Sequence, residues 1–74
     1  MHPTFEKHLE TIRDKSLSPG ERSHYAFREI KLTEQANEEA KSRGDILGLR
    51  FGEEYLLAIS KVIARQGLTM AARK

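Results

Sequence analysis

Apolar residues recur at helical spacing in three separate stretches of the chain. The first stretch places three large apolar side chains at i, i+4 and i+7 on one helical face: Phe5, Leu9 and Ile12. Thr4 precedes this stretch as a candidate N-cap, and Glu6 suits the positive end of the helix dipole. The pattern predicts a short helix over about residues 5–15, which ends before Pro19.

A second helix is predicted to start at Ser18. The Ser18 side chain can accept a hydrogen bond from the backbone N–H of Glu21, and the Glu21 carboxylate can accept one from the N–H of Ser18. Pro19 fits the first helical turn. We predict a long helix over about residues 19–43, ended by Gly44 in the left-handed conformation.

One face of this second helix is broad and carries small side chains along its middle. An arc of this width can contact two neighbours, and small residues let another backbone approach closely. Since the first helix has few large residues to cover the arc, we expect the chain to pair with a second copy, most simply as a two-fold dimer. The predicted self-association face comprises Ala26, Ile30, Thr33, Ala36, Asn37 and Ala40.

The third apolar stretch predicts a helix that packs antiparallel to the second. Its anchors at helical spacing are Tyr55, Leu56, Ile59, Val62 and Ile63. Glu53 and Glu54 suit its N-terminal part, and Gly67 is its stop signal. The three stretches together predict an all-α, three-helix arrangement dominated by the hairpin of the second and third helices, the third covering about residues 46–66.

Two starting points are open for the third helix. Asp45 could cap a helix that begins at Ile46, with Gly48 and Gly52 facing the alanine-lined side of the second helix. Alternatively, the two glycines break the chain and the helix begins near Glu53. Two glycines inside a helix cost about 2 kcal/mol relative to alanines, so the continuous helix, which we prefer, requires close packing to offset that cost.

Length and composition favour a single small domain over residues 1–74. The chain has no cysteine, so neither a disulfide nor a thiolate metal site can stabilise it. Its longest apolar run, residues 55–59, is far shorter than the roughly twenty residues that cross a membrane, and its N-terminus lacks the pattern of a secretory signal. We therefore expect a cytoplasmic protein, with a frayed basic tail over residues 68–74.

Charge is segregated along the chain. Residues 1–54 contain nine Lys and Arg against eleven Asp and Glu, whereas residues 55–74 contain four cations and no acid, which together give the net charge of +2. The candidate nucleic-acid contacts in this basic end are Lys61, Arg65, Arg73 and Lys74. No aromatic residues alternate with these cations as a base-stacking platform requires, and cations near a helix C-terminus also match its dipole.

No pattern in the sequence indicates catalysis, a cofactor or a metal. None of the three histidines has an i+4 partner of the kind found in zinc-binding helices. The adjacent acids at 38–39 and 53–54 diverge on a helix, and the glycine pair at 48 and 52 lacks the lysine–hydroxyl pair of a phosphate loop. We therefore predict no enzyme activity, no cofactor and no metal site.

Glu29 is a polar residue inside the apolar arc of the second helix. Such a residue can fix the register or the oligomeric state of a helical interface. The simpler alternative is that the arc is only partly covered and that Glu29 reaches water at its edge. Phe27 lies outside the arc, and the pattern does not explain it.

By exclusion, the sequence favours a non-enzymatic interaction protein. We expect a small cytosolic regulator or adaptor that binds another protein through its helical surface and self-associates. The alternative is a nucleic-acid-binding protein that uses the basic C-terminal end.

Overall fold

Three helices follow one another with short connections. The computed structural model describes residues 2–68, and over that range the chain forms α1 (Pro3–Arg13), α2 (Pro19–Arg43) and α3 (Ile46–Gln66). Helices α2 and α3 form an antiparallel hairpin and pack together most extensively, with the shorter α1 contacting both. The all-α prediction and its dominant hairpin are confirmed. None of the described helices has the length and hydropathy that crossing a bilayer requires.

The predicted capping box starts α2. The Ser18 side chain accepts a hydrogen bond from the Glu21 backbone N–H at 3.1 Å, and the Ser18 N–H donates to Glu21 Oε1 at 2.9 Å. The Ser18 backbone N–H and then its hydroxyl lower the pKa of Glu21, because both stabilise the carboxylate. At the other end Gly44 adopts φ 71°, the left-handed conformation that the sequence predicts.

The start of α1 differs from the prediction. His2, not Thr4, is the N-cap, and its Nδ1 accepts a hydrogen bond from the Thr4 backbone N–H at 3.1 Å. Pro3 then occupies the first helical turn, where its missing N–H costs nothing. The helix ends at Arg13 because Asp14 leaves the helical conformation and its carboxylate accepts hydrogen bonds from the Ser16 hydroxyl and backbone N–H, which lower its pKa.

The continuous form of α3 is confirmed. Asp45 caps the helix, and its Oδ1 accepts a hydrogen bond from the Gly48 backbone N–H at 2.9 Å. Gly67 ends α3 at φ 67°, as predicted. Leu68, however, donates its backbone N–H to the carbonyl of Ile63 and is only 6% exposed. It belongs to the core rather than to the predicted tail, and the remainder of that tail, residues 69–74, lies outside the described residues.

The core lies where all three helices meet. Its buried apolar side chains are Leu9, Ile12, Ala26, Tyr55, Ile59, Val62 and Leu68. Arg22 is also buried, and its Nη1 donates to Gln66 Oε1 at 2.8 Å, which joins the start of α2 to the end of α3. With 11 residues α1 is about 16 Å long and with 25 residues α2 is about 37 Å long, so α1 covers only part of the hairpin.

Candidate functional site

An open groove of about 280 Å³ runs between α2 and α3. Phe5 and His8 of α1 close one end of the groove, and Arg43 and Asp45 close the other. Small or short side chains form most of the surface between these ends: Thr33, Ala36, Asn37, Ala40, Gly48 and Gly52. The groove thus begins where α1 stops covering the hairpin.

The groove has the length of a short helix. From Leu32 to Arg43, α2 rises about 16 Å, which equals the length of α1. Along α3, Leu47 and Phe51 precede Tyr55 at intervals of four residues and so continue the stripe that Tyr55 presents to α1. The hairpin therefore offers two successive helix-sized positions on one face, of which α1 occupies one.

Large apolar side chains remain exposed beside the open position. Leu32 on α2 is 48% exposed, and Phe51 and Leu47 on α3 are 53% and 65% exposed. Helical spacing places them on the flanks of the hairpin face that α1 shares. Apolar side chains gathered beside an open groove are a feature of interaction sites rather than of ordinary protein surface.

A polar cluster marks the boundary between α1 and the groove. Tyr55 Oη donates a hydrogen bond to Glu29 Oε1 at 2.8 Å, and His8 Nε2 lies 3.9 Å from the same oxygen. His8 Nδ1 and Tyr25 Oη lie 2.5 Å apart. Phe5 stacks on the Tyr55 ring with the centroids 4.2 Å apart and the planes at 9°.

This cluster explains the polar residue in the apolar arc. The Glu29 side chain is 15% exposed, lines the groove and is held by Tyr55 of the neighbouring helix. Neither of the two explanations suggested by the sequence includes this intramolecular partner. The sequence spacing predicts Tyr55 as an apolar anchor. Its hydroxyl is the signal for the Glu29 contact, because the hydroxyl of a buried tyrosine usually has a hydrogen-bond partner.

Burial makes both tyrosines of the cluster weaker acids. Burial, followed by the hydrogen bond to Glu29, raises the pKa of Tyr55 far above its usual range. Burial and then the Glu29 charge raise the pKa of Tyr25. The folded state therefore favours the neutral form of each phenol.

We expect the protein to lose stability at high pH. The neutral tyrosines make their full contribution to the free energy of unfolding below the unfolded-state pKa of about 10, because the phenols are then protonated in both the folded and the unfolded chain. Above that pH the unfolded chain ionises first, so the free energy of unfolding falls as pH rises towards the folded-state pKa values. Circular dichroism from pH 8 upwards, with tyrosinate absorbance recorded in parallel, should show ionisation and loss of helix together; ionisation of both tyrosines with the helix retained would contradict the prediction.

At Gly52 the Asn37 side chain of α2 occupies the space that a Cβ would take. A Cβ at position 52 would overlap Asn37 Oδ1 and lie 2.8 Å from its Cγ, so the Asn37 side chain would have to shift. Gly52 therefore packs against α2 as the continuous α3 requires, whereas at Gly48 the side chain that occupies the space of a Cβ is Asp45, the cap of α3 itself. The contact with Gly52 also places the Asn37 amide at the surface of the groove.

Gly52→Ala should therefore destabilise the fold despite the better helix propensity of alanine. We expect a net loss of up to about 2 kcal/mol, because overpacking costs about 1–3 kcal/mol and the propensity gain is about 1 kcal/mol. In an Asn37→Ala background the obstructing side chain is gone, and Gly52→Ala should be neutral or stabilising. Urea denaturation of the four proteins measures this difference, and an equal effect in both backgrounds would contradict the proposed contact.

The predicted self-association face is divided between the core and the groove. Ala26 is fully buried among the three helices, and Ile30 packs against the same core. Thr33, Ala36 and Asn37 line the groove together with Ala40, which is itself only 4% exposed. Ala36 is the exposed member of the set.

The candidate nucleic-acid contacts are only partly described. Lys61 and Arg65 are exposed and lie one turn apart near the C-terminal end of α3. Arg73 and Lys74 lie outside the described residues. The basic end is therefore remote in sequence from the part of α3 that lines the groove.

Within residues 2–68, no group of three or more histidine, aspartate or glutamate side chains is placed to hold a metal ion. No family model, curated protein or solved structure matches the chain.

Proposed function

We propose that this chain is a small cytosolic regulator or adaptor that acts without catalysis, by binding a helix of another polypeptide in the groove between α2 and α3. The observation that carries the proposal is the open helix-sized position beside α1. The hairpin already binds one helix on this face, and the same surface continues uncovered for about the same length.

The chemistry of the groove suits an amphipathic helix. Such a helix presents apolar side chains at i, i+3, i+4 and i+7 and is recognised by a groove with apolar flanks. Leu32 lines the groove and Phe51 precedes the groove residue Gly52, and burial of the exposed halves of Leu32 and Phe51 would contribute about 1 kcal/mol each. The small floor residues Ala36 and Gly48 let the backbone of the bound helix come close.

Site-specific photo-crosslinking in cells tests this proposal. A photoreactive residue at Ala36 reports on the groove, and the same residue at Glu38 is a matched control because position 38 lies about 160° away around α2. We expect a discrete protein adduct from position 36, none from position 38, and loss of the adduct when Leu32→Glu is added. Adducts of equal yield from both positions, or none from either, would count against a helix-binding groove.

Nucleic-acid binding is a second candidate. Lys61 and Arg65 favour it because both are exposed and neither forms an ion pair with another residue in the described range. If they contact phosphates, affinity for duplex or single strands should fall steeply with salt, and reversing both charges to glutamate should abolish binding. Fluorescence anisotropy at about 50 mM salt decides this point, since no binding there removes the candidate.

A further inference from the structure

We infer that the helix bound in the groove is α2 of a second copy of this chain, in a two-fold dimer whose α2 helices run antiparallel and cross at Ala36. The inference rests on the proposed function, for which it names the partner. Charge complementarity along α2 determines the position of the two-fold axis.

The charges on the α2 wall of the groove are arranged symmetrically about Ala36. Glu29 and Arg43 both line the groove, and each lies seven residues, or two helical turns, from Ala36 in opposite directions. In an antiparallel pair centred on Ala36, Glu29 of one copy therefore lies opposite the partner's Arg43, and its Arg43 lies opposite the partner's Glu29. One axis forms two opposite-charge pairs, as a two-fold interface requires.

Both groups are available for this pairing. The hydrogen bond from Tyr55 and the contact with His8 both use Glu29 Oε1, Oε2 has no hydrogen-bond partner among residues 2–68, and Glu29 lines the groove. The Arg43 side chain is 64% exposed, and Nη2 lies 3.8 Å from Asp45 Oδ2, a loose and solvated ion pair that does not restrain it.

The apolar side chains fit the same axis. Leu32 lies four residues before Ala36, so it falls opposite the partner's Ala40, where small side chains and Gly48 leave room for it. The segment that pairs runs from Glu29 to Arg43, and all of its part from Leu32 onwards lies beyond the N-terminal turns of α1, whose Phe5 and His8 border the groove beside Glu29. A helix of unrelated sequence could fit the same shape. A second α2, however, also places an arginine opposite Glu29 and a glutamate opposite Arg43.

Sedimentation velocity on the intact chain tests this inference, with Arg43→Glu as the main variant. This change places a second carboxylate opposite the partner's Glu29 at both pairs, so the dimer dissociation constant should rise about tenfold or more. Lys41→Glu is the matched control. It has the same change of charge in the same helical turn but lies about 160° around α2 from Arg43, and it should leave the dissociation constant unchanged.

A third variant isolates the pair itself. Glu29→Gln keeps an acceptor for the Tyr55 hydroxyl but removes the charge, so Arg43→Glu should weaken the dimer much less in the Glu29→Gln background than in the natural chain. Circular dichroism confirms that each variant is folded.

Four outcomes overturn the inference: a monomer at about 100 μM, a dimer that Arg43→Glu and Lys41→Glu weaken equally, a dimer that neither changes, or equal effects of Arg43→Glu with and without the Glu29 charge.

The Ala36 photo-adduct separates failure of this inference from failure of the proposed function. An adduct of twice the chain mass of 8.5 kDa supports the second copy. An adduct with a different protein overturns the second copy but leaves the groove as a helix-binding site, and no adduct counts against both.

Discussion

Ile59→Asp should unfold the protein. Ile59 is fully buried in the core where the three helices meet. Loss of its side chain costs about 2–5 kcal/mol, and burial of an unpaired carboxylate adds several more. A chain of 74 residues has a total stability of about 4–11 kcal/mol, so the cost of the substitution approaches or exceeds the whole. We expect circular dichroism to show a cooperative loss of helix at neutral pH.

Leu57→Asp is the control for this substitution. Leu57 lies two residues earlier in α3 and is 60% exposed, on the side of the helix away from the core. The change costs at least as much in helix propensity but buries no charge, so the melting temperature should fall by only a few degrees. If both variants unfold, helix propensity rather than core burial controls the stability of α3; if neither does, Ile59 is not central to the core.

The ends of α2 and α3 could be predicted because local interactions determine them. The Ser18 capping box, the Asp45 cap and the positive φ of Gly44 and Gly67 each involve residues close together in sequence. The prediction that Thr4 caps α1 was wrong for a similarly local reason, since the His2 side chain can also accept a hydrogen bond from a helix N–H. At Leu68 the sequence does carry a signal for burial, because an apolar residue after a left-handed glycine commonly packs back on its helix.

The groove could not be predicted because periodicity gives the direction of a side chain but not what covers it. One broad face of α2 carries Ala26, Ala36 and Ala40, yet their surroundings differ. Ala26 is buried in the core of the three helices, Ala36 is exposed in the groove, and Ala40 is buried although it lines the same groove. The difference depends on where the short α1 ends against the long hairpin. Glu29 illustrates the same limit, since its partner Tyr55 is 26 residues away.

Tyr55→Ala should remove most of the stability that α1 gains from the hairpin. Tyr55 is only 2% exposed, stacks with Phe5 of α1 and donates a hydrogen bond to Glu29 of α2, so one side chain joins all three helices. Truncation of a large buried aromatic residue costs about 3–5 kcal/mol, and it leaves the largely buried Glu29 carboxylate without its donor. We expect urea denaturation to show a loss of this size, with α1 amides exchanging fastest in the folded state.

Tyr55→Phe separates the two contributions. It keeps the ring, the stacking with Phe5 and the filled core, and removes only the hydroxyl that donates to Glu29. Loss of a single hydrogen bond to a partly buried charge costs about 1–3 kcal/mol, so this variant should remain folded with α1 in place. If Tyr55→Phe costs as much as Tyr55→Ala, the hydroxyl and its carboxylate partner hold α1 against the hairpin; a much smaller cost assigns that role to the packed ring, as the stacking geometry indicates.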